Sequence, residues 1–159
     1  MLGRRATITS LFSVILAACE SATSPGASAI AGRWATTPEG LSPAGSYQSF
    51  LTFDGDAFTS EVRSYGLYPG QRSTELSAYS RTEGTFRVDG ERLHFSPLRL
   101  VTWDRFNGVT SPERVDSPYP WGSLFDDARF KLRLNRLDLH YTTYPADAPV
   151  ATSRSYWRL

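Results

Sequence analysis

The stretch FKLRLNRLDLHYTTY, residues 130–144, alternates apolar and polar side chains almost without a break. Alternation with period two places one set of side chains on each face of a strand. The run therefore predicts strands with one buried and one wet face, and Asn135 is the predicted turn residue between them. The same device recurs. Asp54-Gly55 in SFLTFDGDAFTS and Asp89-Gly90 in GTFRVDGERLHF each sit between alternating runs, where Asp-Gly supplies the positive-φ residues of a tight hairpin. Pro69-Gly70 marks another turn. Almost no helical period is found beyond Gly32.

Residues 86–95 (FRVDGERLHF) align with residues 132–141 (LRLNRLDLHY) without a gap, so the chain reads as a series of hairpins. Strands are expected near 32–37, 46–53, 57–67, 73–88 with a bend at Gly84, 91–102, 127–134, 137–144 and 151–158. Eight antiparallel up-and-down strands can close into a barrel, which removes exposed edges. Such a barrel is just wide enough to be filled by side chains or to hold one small ligand. The expected fold is therefore all-β, an eight-stranded up-and-down antiparallel barrel over 32–159. The series is interrupted at 103–126, where Pro112, Pro118, Pro120, Gly108 and Gly122 break any regular element. A loop of that length in a compact domain is functional or disordered, and its aromatic content argues against disorder.

The N-terminus carries an address. Met1-Leu2-Gly3-Arg4-Arg5 is a basic head, and ATITSLFSVILAA follows without a charge. A basic region, an apolar region and small residues before a cleavage point describe a secretory signal peptide, assigned to 1–18. At about 13 residues the apolar run is too short to cross a ~30 Å hydrocarbon core. Leu16-Ala17-Ala18-Cys19 resembles a bacterial lipobox. The resemblance implies a diacylglyceryl thioether on Cys19, cleavage before it, and attachment to the lipid bilayer. Each buried methylene contributes about 0.8 kcal/mol, so two or more chains anchor stably. Glu20 is not the aspartate that retains such proteins in the inner membrane, which favours the outer membrane of the cell envelope. Residues 20–31 are small and polar and read as a flexible tether after the lipidated cysteine, the two together spanning 19–31.

Charge narrows the partners. Arg4 and Arg5 leave with the signal, so 17 basic residues become 15 against 16 acidic ones. A nearly neutral chain lacks the basic footprint of a nucleic-acid binder. Cys19 is the only cysteine, so no disulfide is expected in the barrel.

Gly32-Arg33-Trp34 opens the domain, and Tyr156-Trp157-Arg158-Leu159 closes it. With the hairpins between, the chain resembles a lipocalin. Its LTFDGDAF and EGTFRVDGERLHF hairpins are similar to those of the small lipocalin-like domains of bacterial lipoproteins. The resemblance implies that an arginine of the last strand packs on Trp34 and closes one end of the barrel. Arg158 is the candidate, with Arg154 second. The Thr-Asp-Tyr motif of true lipocalins and their C-terminal helix have no counterpart here, so the resemblance transfers shape more than activity.

Chemistry-bearing constellations are sparse. His94 and His140 hold matching hairpin positions and should point away from the leucine face, but zinc wants three or four ligands. Asp54-Gly55-Asp56 and Asp126-Asp127 are explained by turn chemistry and a strand entry. No Gly-x-Ser-x-Gly elbow, Cys–His pair or phosphate loop is present, so neither an enzyme nor a cofactor or metal site is expected. The aromatics of the long loop are the stronger signal. Trp103, Phe106, Tyr119, Trp121 and Phe125 fall in or beside it, where they would line an apolar mouth, with Arg105 and Arg114 for an anionic head group. The competing reading is a plug that merely covers the barrel end. The leading expectation is a membrane-anchored barrel binding a small apolar or amphipathic molecule. The alternative is a non-catalytic structural or protein-interaction barrel in envelope assembly or stress sensing. Inward positions decide between them: large residues in every layer favour the second, small or polar ones a cavity.

Overall fold

The computed structural model describes residues 26–40, 45–106, 109–145 and 148–159; the expected signal peptide and the lipidation site Cys19 lie outside them. In chain order the elements are one helical turn, α1 (Ala27–Ile30), and strands β1 (Gly32–Ala35), β2 (Glu39–Gly40), β3 (Ser46–Asp54), β4 (Ala57–Tyr65), β5 (Leu76–Asp89), β6 (Arg92–Phe106), β7 (Val109–Thr110), β8 (Arg114–Asp116), β9 (Asp126–Arg133), β10 (Arg136–Thr143) and β11 (Val150–Arg158). Strand β1 pairs with β11 on one side and β3 on the other. The order β1-β11-β10-β9-β6-β5-β4-β3 therefore returns to β1, and the wall closes with eight antiparallel strands. Strands β2, β7 and β8 are short additions on the neighbouring β3 and β6.

The hairpins follow their turn residues. Gly55 (φ 60°) and Gly90 (φ 59°) each take the first central position of a two-residue turn, where a positive φ lets the strands keep their twist. In the third hairpin that position falls to Leu134 (φ 46°), with Asn135 second. The turn of residues 132–141 thus lies two residues earlier than that of the aligned 86–95. A two-residue offset leaves every side chain on its face. Leu93 and Leu139 accordingly both enter the core, while His94 and His140 both face out.

Inward residues form rows across β3, β4, β5 and β6. The row Phe53–Phe58–Gly84–Pro97 lies toward the hairpin end, and Leu51–Ser60–Thr82–Leu100 is next to it. Gly84 is where the expected bend occurs. The β5–β6 register shifts between Glu83 and Gly84 and leaves Leu98 unpaired. A Cβ on Gly84 would stand 2.2 Å from the Ser96 carbonyl oxygen and 2.8 Å from Pro97 Cα, so only glycine lets the two backbones approach. Phe86, Leu93, Phe130, Leu137 and Leu139 complete a packed lower half, with Phe53 edge-on to Phe86 at 4.8 Å.

Trp34 closes this lower end. It is fully buried, its indole N–H donates to the Ile30 carbonyl at 2.8 Å, and the Arg158 guanidinium lies 4.4 Å from its ring centroid. Arg158 also donates to the carbonyls of Ala31 (3.0 Å) and Ala29 (2.9 Å). Residues 27–30, at the end of the stretch read as tether, are thus part of the fold, because Ile30 is an apolar side chain with a buried place to go.

Residues 114–119 of the interruption prove to be part of the wall. Strands β6 and β9 pair directly only at Arg92 and Arg129. Above that point the chain runs back along β6, with Tyr119 N donating to the Leu98 carbonyl at 2.8 Å and β8 pairing with Leu100, Val101 and Thr102. Pro112, Pro118 and Pro120 lack the N–H that a regular ladder needs, so the segment fills the seam as an irregular strand.

Candidate functional site

The two halves of the barrel interior differ in character. Above the rows of large residues come Ser49–Val62–Ser80–Thr102 and then Tyr47–Ser64–Ala78–Asp104. In these two rows only Ser49 is buried; the other inward side chains keep contact with solvent. Beyond the packed half the inward positions are thus mostly hydroxyl-bearing and partly exposed.

A cation also points inward. Arg154 shares the inward face of β11 with Tyr156, two residues on, and donates to Ser49 Oγ at 3.0 Å across the interior. Its guanidinium also meets the hydroxyl of Tyr156, and Tyr141, Tyr47 and Glu39 lie within its electrostatic reach. Among the described residues no carboxylate stands within ion-pair distance of Arg154. The Tyr47 hydroxyl donates to the Glu39 carboxylate, whose proximity holds the Tyr47 phenol above its ordinary value. Burial raises the Tyr156 and Tyr141 phenols in spite of the opposing Arg154 charge, so both remain protonated donors at neutral pH.

Access to Arg154 is also lateral. Pairing of β1 with β11 stops after Ala35 and Trp157. Beside the point where β1 leaves β11, a cleft of about 270 Å³ is lined by Thr36, Glu39, Arg154, Ser155 and Trp157, among others.

The side chains singled out from the sequence are dispersed. Trp103 and Arg105 occupy outward positions on β6. Residue parity on the strand puts Thr102 and Asp104 inside instead. Trp103 stacks on Tyr79 at 5.7 Å, and Arg105 is paired with Glu75. Arg114 is paired with Asp116 at 3.0 Å. Phe106 ends β6 opposite Val109. Phe125 packs edge-on against Phe95 (5.1 Å) and Tyr141 (4.8 Å), as a core residue of the seam. Tyr119 reaches the hydroxyl of buried Thr82, and burial raises its phenol. Trp121 stands edge-on to Tyr119 at 5.6 Å and is 60 % exposed. Phe125 and Tyr119 thus pack into the seam, Trp103 lies on the outer wall, and Trp121 is exposed.

His94 and His140 take part in no metal-type cluster of three or more His, Cys, Asp or Glu among the described residues. Asp126 accepts from the Tyr144 hydroxyl at 2.6 Å, and Asp127 pairs with Arg92 at 3.2 Å.

The sequence offers Arg154 only as a second partner for Trp34. The signal for its real place was its spacing from Tyr156: two residues apart on one strand means one face.

The fold thus defines a closed eight-stranded antiparallel β-barrel with one packed end and mostly polar, partly exposed inward residues toward the other. No family model, curated protein or solved structure matches the chain.

Proposed function

We propose that this chain is a lipocalin-like lipoprotein of the bacterial cell envelope, anchored in the bilayer through acylated Cys19 and holding a small amphipathic molecule in the open half of its barrel. Residues 1–18 are the signal, 19–26 carry the lipid and tether, and the binding domain runs from α1 (Ala27–Ile30) to residue 159. The observation that supports binding is the change of inward residues along the barrel. Phe53, Phe58 and Gly84 with Pro97 give way to Val62, Ser80 and Thr102, which remain in contact with solvent. A barrel serving only as a scaffold gains from filling every layer, since each unfilled volume forfeits packing. The lipobox-like LAAC supports the anchor.

Two measurements test this reading. Metabolic labelling with a fatty acid should mark the wild type, and label persisting in Cys19→Ala removes the anchor. Native mass spectrometry of the protein released from membranes should show a reproducible mass beyond protein and acyl chains. A clean mass, with no shift against a panel of small amphiphiles and carboxylates, removes the binding role.

A further inference from the structure

We infer that the ligand is a small hydroxylated carboxylate, and that Arg154 is the residue that recognises its charged end. This rests on the reading of the barrel as a binding cup.

A guanidinium is always protonated and costs free energy to withdraw from water, so a half-buried arginine normally has a carboxylate beside it. Arg154 is half-buried, yet it donates to the neutral Ser49 hydroxyl, with the Tyr156 phenol beside it. Glu39, the nearby acid, is engaged by the Tyr47 hydroxyl. The outcome is a planar cation with unfilled donors, flanked by phenol O–H groups that burial keeps protonated. That donor set is complementary to a carboxylate, which takes two parallel N–H bonds from a guanidinium.

The wall above Arg154 identifies the rest of the molecule. Ser64, Ser80 and Thr102 point into the cup, with Val62 as the apolar interruption. A bare alkyl chain would leave those hydroxyls without partners, whereas a body bearing hydroxyl groups pairs with them. The cleft at Thr36, Glu39 and Trp157 gives the charged end a route to the guanidinium from outside the wall.

The test is isothermal titration of the full chain with glucuronate, 4-hydroxybenzoate and octanoate, each beside its neutral amide. The expected result is binding of a hydroxylated acid at least tenfold tighter than of its amide and tighter than octanoate. Arg154→Gln should lose at least tenfold of that affinity, and Arg154→Lys should keep part of it. Glu39→Gln removes a neighbouring negative charge without touching a donor, so it should tighten binding several-fold. Thermal unfolding of each variant separates loss of the site from loss of the fold. If Arg154→Gln unfolds, the Glu39→Gln and Arg154→Lys results decide. Acids and amides that bind equally, or affinity untouched by Arg154→Gln in a folded protein, overturn the carboxylate assignment and leave the binding cup standing. Octanoate binding tightest overturns the hydroxylated body. Binding of no member of the panel overturns both the assignment and the binding role.

Discussion

Replacing Trp34 by phenylalanine should destabilise the barrel by about 3 kcal/mol. The indole N–H donates to the carbonyl of Ile30 at 2.8 Å, and both side chains have no solvent exposure. Phenylalanine cannot make that bond, and a buried acceptor left without a partner costs about 1–3 kcal/mol. The smaller ring leaves a void of roughly 40 Å³, worth about 1 kcal/mol at ~24 cal/mol per Å³. Arg158, 4.4 Å from the Trp34 centroid, loses some of its attraction to the ring, a further few tenths of a kcal/mol. A domain of this size loses roughly 3–5 °C of Tm per kcal/mol, so Tm should fall by about 10 °C. The assay is urea unfolding followed by far-UV circular dichroism, with the midpoint read at constant m. A loss below about 1 kcal/mol at unchanged m would refute the assignment of Trp34 as the closing residue. Arg158→Ala in both backgrounds completes a double-mutant cycle, for which a coupling of a few tenths of a kcal/mol is expected, the share of the ring attraction that phenylalanine gives up. Zero coupling would mean that guanidinium and ring stabilise the end separately.

Other substitutions probe other parts of the wall. Gly84→Ala forces a methyl against the Ser96 carbonyl and Pro97 Cα and should cost about 3 kcal/mol, read from the same urea midpoints. Leu134→Gly should stabilise by about 0.5 kcal/mol. It relieves a positive φ at a side chain that is 99 % exposed and buries nothing, offset in part by the extra freedom of glycine in the unfolded chain. Phe125→Ala should cost about 3 kcal/mol through its contacts with Phe95 and Tyr141, and an unchanged Tm would restore the loop as a mere cover. Burial acts to raise the Asp138 carboxyl, but bonds from Ser155 (2.6 Å) and Arg136 (2.7 Å) outweigh it and hold the group below its ordinary value. Its contribution is therefore present above about pH 4, the unfolded value, and lost as pH falls through the lower folded value. Asp138→Asn should flatten stability against pH in that acid range, and a profile superimposable on wild type would contradict the pairing.

Much of this barrel is determined by local pattern. Alternation in residues 130–144 sets which face of each strand is buried, and glycine at positions 55 and 90 sets where two hairpins turn. Both are properties of a few adjacent residues, so eight strands and their approximate limits can be read without knowing what they touch. The fate of 103–126 cannot be read that way. Its prolines announce irregularity, but only the long-range pairing of Arg114–Asp116 with β6 makes that part a wall segment, with Phe125 in the core and Tyr119 at Thr82. The same holds for the inward cation. Parity puts Arg154 beside Tyr156, but Ser49 is supplied by β3, 105 residues earlier in the chain. Which neighbour a side chain meets across a barrel depends on closure, stagger and bulges summed around the whole sheet. Faces are thus decided by the sequence through a period of two residues, whereas the site is decided by the tertiary structure, because closure alone brings β2, β3, β10 and β11 around one guanidinium.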